Sequence, residues 1–349
     1  MHSIMQNKPI TMAGLARHLA LNPSSVSRAL DPARRHTISP EVVRRVEKAA
    51  SQHGYRPNRA AATLRTGKSG CIGIVLPDIT NPVFPPILRG IDDGLQRGGL
   101  LSLVANAAGT AQATQDLVLR MLGQGVDGLI LATAVRNDPL IGLLAEAKVP
   151  VVLVNRTDEQ SACSAVISDE SWGMAQSVRH LLQQGHQRIG HLAGPQHLST
   201  GAQRLQGFRT AMIRSDLDHR LTETCAGYSI EAGYRACQRL LARCARSGKN
   251  QLTAIVASND LIALGAIDAL TAAGMSVPDD VSLTGHNDMP FMDRIQPTLT
   301  TVRIQHNEMG QTAAQLLLQA IAQPVRTHTT IMLKPELVVR RSTGPAKHR

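Results

Sequence analysis

Residues 22–30 read NPSSVSRAL, and their chemistry is uneven around a helix. Pro23, Ser24, Ser25, Ser27 and Arg28 form a side of small polar groups and one guanidinium, while Val26, Ala29 and Leu30 form an apolar side. Short hydroxyl side chains let a helix approach a partner closely, and an arginine can make two parallel hydrogen bonds to one pair of acceptors. The chemistry open to such a face is recognition rather than bond-making. A second polar set closes short apolar runs further along: Pro77-Asp78, Asn155-Arg156, Ser258 to Asp260 and His286 to Asp288. Hydrogen-bonding groups in those places suit a small polar ligand.

Reactive constellations are absent by the same reading. The stretch TGKSG (residues 66–70) resembles the end of a phosphate-binding loop, but Ala62 stands where the first glycine is needed and a helical pattern replaces the required strand. Thirteen histidines show no HExxH or Cys/His spacing for a metal. Neither a GxSxG elbow nor a dinucleotide GxGxxG occurs. Five cysteines (Cys71, Cys163, Cys225, Cys237, Cys244) form no CxxC pair, which fits buried thiols in a reducing compartment. The chain is therefore expected to be no enzyme and to need no cofactor and no metal.

The elements that must hold these residues differ between the two ends of the chain. Residues 1–68 carry 12 lysines and arginines against Asp31, Glu41 and Glu47, a net +9, whereas the other 281 residues are near neutral. A concentrated positive end on a neutral body is the electrostatic footprint of a nucleic-acid-binding head. Three helical patterns fill residues 10–54. The first has Thr11 as N-cap and Met12, Leu15, Ala16 and Leu19 on one face; the second has Asn22 as cap and Pro23 at its first position; the third has Ser39, Pro40 and Glu41 and stops at Gly54.

From Cys71 onward, apolar runs alternate with helical stretches: CIGIVLP, LSLVANA, GLILATA, PVVLVNR, AVISD, RIGHLAG, TAIVASND and VSLTGHND. Residues 83–97, 112–124, 171–184 and 261–273 have helical spacing. Continuous apolar strands between helices predict parallel sheets covered on both faces. Eight such strands suit two doubly wound subdomains, although periodicity alone also admits a barrel. In open sheets of this kind ligands bind beyond the carboxyl ends of the strands, where the polar residues above fall.

TMAGLARHLALNPSSVSRAL, ISPEVVRRVEKAASQHGYRPNRAAATLRTG, IGIVLPDITNPVF and PTLTTVR closely resemble the LacI/GalR family of bacterial transcription regulators. The likeness runs from about residue 10 to 342. It implies an all-α helix-turn-helix head (residues 1–56), a hinge helix and linker (57–69), and a periplasmic-binding-protein-like body. That body would have an N-terminal subdomain (70–168 with 302–329), a C-terminal subdomain (169–301 with 330–343) and a tail (344–349). Many relatives have glycine where Ala20 stands and serine where Asn22 stands. Alanine there is costly only if that residue needs positive φ.

The resemblance implies that Pro23, Ser24 and Arg28 meet base edges in a major groove, with Arg28 suited to guanine, and that Ser25 and Ser27 touch phosphate or buttress the helix. It also places Thr11, Tyr55, Asn58 and Arg59 at the DNA. Leu64 matches a minor-groove wedge, with Ala61 permitting close helix approach, although Leu64 could instead pack on the body.

For a small effector the resemblance points to Asp78, Asn81, Phe84, Asn155, Arg156, Arg204, Asn259 and Asn287. Sugar-binding relatives usually carry aspartate where Asn287 stands. One carboxylate fewer beside Arg156 and Arg204 predicts a more positive cleft and a ligand such as a sugar acid. Arg204 and Asn287 could instead serve bonds within the body, and Phe84 could be core.

The expected protein is a regulator, a repressor by family habit, that binds a palindromic operator as a homodimer and answers to a sugar or sugar acid. The competing reading is a sugar-binding protein of transport or sensing type without specific DNA binding. The N-terminus lacks the charged-then-apolar pattern of a secretory signal, and no apolar run is long enough for a bilayer, so the expected compartment is the cytoplasm.

Overall fold

Thr11 stands just outside the first helix, and its hydroxyl accepts the Gly14 amide at 3.1 Å, which starts α1 (Met12–His18). Pro23 at the first position opens α2 (Pro23–Ala29). Ser39 caps the Val42 amide to begin α3 (Pro40–Gln52), and Gly54, at φ 60, supplies the left-handed residue that ends it. The apolar stripes predicted from the spacing meet in one core of Leu15, Ala16, Val26, Ala29, Val46 and Ala49. Two local expectations change. Ala20 does sit at φ 53, so the turn between α1 and α2 carries the strain that glycine would avoid. Asn22 holds the N-cap position of α2 without making a side-chain cap bond.

This computed structural model describes residues 10–31, 34–55, 63, 67–107, 109–160, 162–246, 252–323 and 328–347. The chain divides into two units, Met1–Ser69 and Gly70–Arg349. The second unit contains two six-stranded sheets, each forming a lobe. The first lobe has β1 (Cys71–Leu76), α4 (Phe84–Arg97), β2 (Leu101–Asn106), α5 (Ala111–Gly123), β3 (Gly128–Leu131), α6 (Pro139–Glu146), β4 (Val151–Val154) and β5 (Ser164–Ser168). The chain then crosses into the second lobe with α7 (Glu170–Gln183), β6 (Ile189–Ala193), α8 (Ser199–Arg214), β7 (Thr222–Thr224), α9 (Ile230–Arg246), β8 (Ala254–Ala257), α10 (Asp260–Ala272), β9 (Ser282–Asn287) and β10 (Thr300–Arg303). It returns with α11 (His306–Ala322) and β11 (Thr330–Leu333), and crosses a third time to β12 (Glu336–Val338).

The sheet orders are β11-β5-β4-β3-β1-β2 and β12-β10-β9-β8-β6-β7, with every pair parallel except β10–β12. Successive strand residues feed opposite cores: Ile72, Ile74 and Leu76 pack toward α4 and α11, while Val75, Leu129 and Leu131 pack toward α5 and α6. Both lobes are thus doubly wound, and the barrel alternative falls. Gly310 lets α11 lie directly on α4, because a Cβ there would strike the Ile87 carbonyl.

The predicted subdomain boundaries shift at the late crossovers. β11 pairs with β5, so residues 330–333 belong to the first lobe rather than the second. The 301/302 boundary cuts through β10, which lies wholly in the second sheet. The start of the predicted tail is also docked: the Gly344 carbonyl accepts from Ser282 at 3.2 Å, and the Ala346 amide donates to Gln184. Burial pushes the Cys225 and Cys237 thiols up to about 12, so both behave as small core hydrophobes. No helix among the described residues is long and apolar enough to cross a membrane.

Candidate ligand cleft and recognition helix

Strand ends and helix starts build the cleft between the lobes. Asn81, Val83 and Phe84 come from the loop after β1 and the start of α4; Asn155 and Arg156 follow β4; Asn259 follows β8; Asn287 ends β9. With Thr200, Arg204 and Tyr228 they line one crevice of about 20 Å³, room for about one water. Hydrogen bonds between the lobes flank it. The Arg136 amide donates to the His197 carbonyl at 3.0 Å, the Arg136 guanidinium to the Gln196 carbonyl at 3.1 Å, and the Thr157 amide to the Ser199 hydroxyl at 3.0 Å. Each of these bonds joins the first lobe to the second.

Seven of the eight expected effector residues line this crevice. Asp78 does not; it is exposed and accepts from the Thr80 amide at 2.9 Å and the Thr80 hydroxyl at 2.6 Å, shaping the loop instead. Phe84 is fully buried, so it is both core and wall. Thr200 and Tyr228 escaped the sequence reading. The Tyr228 hydroxyl donates to Thr200 at 3.0 Å, and a Cβ at Gly194 would collide with the Tyr228 ring. That glycine and tyrosine stand 34 positions apart, which no short motif reveals.

Backbone strain gathers at the same place. Asn155 and Asn287 sit at φ 65 and 108, where a side chain is held only by surrounding structure. The Asn259 side-chain oxygen caps α10 by accepting the Ile262 amide at 2.9 Å.

The two arginines of the cleft differ sharply in electrostatics. Arg204 is buried and donates twice to Glu170, at 2.7 and 3.0 Å, and also to the Ser258 carbonyl at 2.7 Å and the Asn287 oxygen at 3.0 Å. Burial alone would raise the Glu170 carboxyl, but Arg204 and His286, whose Nε2 lies 2.8 Å away, outweigh it and hold it at about 2. Arg204 is therefore neutralised, which corrects the expectation that it adds positive charge to the cleft. Its fully engaged guanidinium, with Asn287 as one acceptor, matches the alternative of bonds within the body. Arg156 is the contrast. Its Nε is buried without a hydrogen-bond partner, and burial, with Arg204 adding to it, lowers its pKa against a counter-pull from Tyr228. Beneath the floor, Asp260 accepts from the Thr301 hydroxyl at 2.5 Å and the Met289 amide at 2.7 Å, and burial raises its carboxyl to about 7.

In the head, Pro23 and Ser24 are exposed on α2, Ser25, Ser27 and Arg28 are half-buried, and Val26 and Ala29 face inward. The Arg28 Nε donates to the Ser24 carbonyl at 3.4 Å, a long bond that leaves the rest of the guanidinium fork for another partner. Thr11 is spent on capping α1, and Tyr55 packs against the head core, where burial raises its hydroxyl. Asn58, Arg59, Ala61 and Leu64 lie outside the described residues.

Comparison with known proteins gives these features a context. Residues 178–343 match the periplasmic binding protein-like domain family. The HTH-type transcriptional regulator reg1 of Streptomyces lividans is 31% identical over 348 residues, spanning 96% of this chain and 97% of that protein. Among solved structures, the Lac repressor dimer bound to operator and the anti-inducer ONPF aligns with a TM-score of 0.84 at 26% identity, covering 97% of this chain and 100% of the other. The CelR–cellobiose complex aligns at 0.72 and 28%, covering 95% and 99%. The regulator and the two solved structures align over the helical head as well as the body, which leaves the reading as a free binding protein without support. With head, two-lobed body and strand-end cleft all present in one chain, the protein belongs to the LacI/GalR family of transcription regulators.

Proposed function

We propose that this regulator binds a palindromic operator as a homodimer, represses from it, and changes its operator affinity when a small anionic sugar derivative enters the cleft. The Lac repressor, solved as a dimer on its operator, supports the DNA and dimer parts of this reading. The net +9 over residues 1–68 and the exposed start of α2 support a groove-binding head. Regulation follows from the lobes: a ligand touching both has unequal affinity for open and closed arrangements, and only that difference can shift the head's affinity for DNA.

One observation carries the ligand class. Among the described residues no ion pair to a carboxylate is found at Arg156, whose Nε is buried without a hydrogen-bond partner, whereas Arg204 is answered by Glu170. A carboxylate on the ligand would satisfy Arg156, and the side-chain amides of Asn81, Asn155 and Asn259 suit hydroxyls. Calorimetry with matched pairs, glucose against glucuronate and galactose against galacturonate, tests this directly. The acid of a pair should bind more tightly, and Arg156→Gln should remove the preference. A cleft that prefers the neutral sugar contradicts the assignment. For the DNA part, a gel shift on genome-selected fragments should show affinity falling roughly 10³–10⁵-fold between 50 and 200 mM salt, as expected when 6–10 phosphates are neutralised.

A further inference from the structure

The head holds a side-chain pair outside the residues assigned above to DNA contact. His18 ends α1 and His53 caps the end of α3, and their Nε2 atoms lie 3.2 Å apart. The rings stand at 72° with centroids only 4.5 Å apart. An in-line N–H···N bond would set each centroid a ring radius further back than its nitrogen, so the shorter separation means that the rings lean toward each other rather than meeting end to end. An ion at the usual metal–imidazole length of about 2.0–2.1 Å from both would see them at an angle of about 100°, near tetrahedral. Both rings are exposed and sit at helix C-termini, where the carbonyl ends of the dipoles favour a cation. The nearby cation Arg45 is turned to the Leu19 carbonyl at 3.5 Å.

We propose that His18 and His53 form a two-histidine clasp for a divalent transition-metal ion, with imidazole donors suited to zinc, nickel or copper. The clasp joins α1 to α3 and so staples the outer helices of the head across α2. No cluster of three or more His, Cys, Asp or Glu suited to a metal occurs among the described residues, so the remaining coordination positions fall to water. This describes an exchangeable ion rather than a permanent structural one. An ion held only by the folded head raises its stability by mass action.

The test is a zinc titration of the full-length, untagged protein by calorimetry, with the melting of the head followed by circular dichroism. The wild type should take up one ion at this site and melt at a higher temperature with zinc present. His18→Ala and His53→Ala should each weaken that uptake at least about tenfold, since one imidazole cannot chelate, and each should abolish the zinc-dependent rise. If an alanine unfolds the zinc-free head, His18→Gln and His53→Gln keep a polar contact without chelating. Titrations unchanged by both substitutions overturn the clasp, and so does uptake lost in only one of them.

Discussion

Replacing Glu170 by glutamine removes one charge from the buried network while keeping its shape, and the structure allows the cost to be worked in two ways. Breaking one partner of a buried, hydrogen-bonded ion pair costs about 3–5 kcal/mol, because the other charge stays buried without compensation. Here Arg204 would be that charge, at 2% exposure. Independently, a carboxyl held at about 2 instead of 4.5 contributes about 3 kcal/mol at neutral pH. That contribution is present above pH 4.5 and is lost as pH falls toward 2, since the folded value is the depressed one. The two routes agree, and the loss is a large part of a typical stability of about 5–15 kcal/mol. Urea unfolding at pH 7, followed by the fluorescence of Trp172 on the same helix α7, should show the body of Glu170→Gln destabilised by about 3–5 kcal/mol. The double variant Glu170→Gln/Arg204→Met should recover most of the loss, because no lone charge then remains. A loss below about 1 kcal/mol, or a double variant worse than the single, would refute the claim that Glu170 serves to neutralise Arg204.

Other outcomes follow from the same geometry. Ala20→Gly should raise the stability of the head by roughly 0.5–1 kcal/mol, because φ 53 strains alanine and suits glycine; an unchanged melting curve of the head counts against strain at that turn. Burial lowers His191, His286 and His306 to about 4, so the unfolded chain binds more protons between pH 4 and 6.5 and stability should fall as pH drops through that window. Asp260, raised to about 7, opposes this with one proton of the other sign, leaving a net acid loss that a melting series from pH 7 to 4.5 should record. Trp172 is the single tryptophan, and the Lys334 ammonium lies 4.2 Å from its ring centroid, beside the crossover between β11 and β12. Its emission should therefore change on saturation with a cleft ligand, and constant emission would mean that the crossover does not move. Arg28→Ala should weaken operator binding by about 1–3 kcal/mol and relax selectivity at one base pair, which a gel-shift series over single-base operator variants can read.

Much was written in local chemistry. Alternating apolar runs and helical stretches announced parallel sheets, because a strand buried on both faces must be apolar throughout, as Ile72–Leu76 is. Caps at Thr11 and Ser39 and the stop at Gly54 were equally legible, since each satisfies backbone groups within a few residues. Short strands were not: β7, β10, β11 and β12 span three or four residues each, and β7, β11 and β12, which lie at sheet edges, lack the buried apolar run that would mark them. β11 pairs with β5, on the far side of the whole second lobe in sequence, and β12 then returns to β10, so the lobe boundaries at the second and third crossovers could only be read from the sheets.

The division is sharpest in the cleft. Residue types and their positions at strand ends determined that asparagines and arginines would gather there, because open parallel sheets put ligands at those ends. Tertiary structure alone decided what each charge means. Glu170, at the first position of α7 with no sequence motif to mark it, reaches Arg204 across 34 positions and cancels it. Arg156, of the same residue type, meets no such partner among the described residues. Charge in a protein interior is set by which groups lie within a few ångströms and by how much water is excluded, and neither quantity exists until the chain has folded.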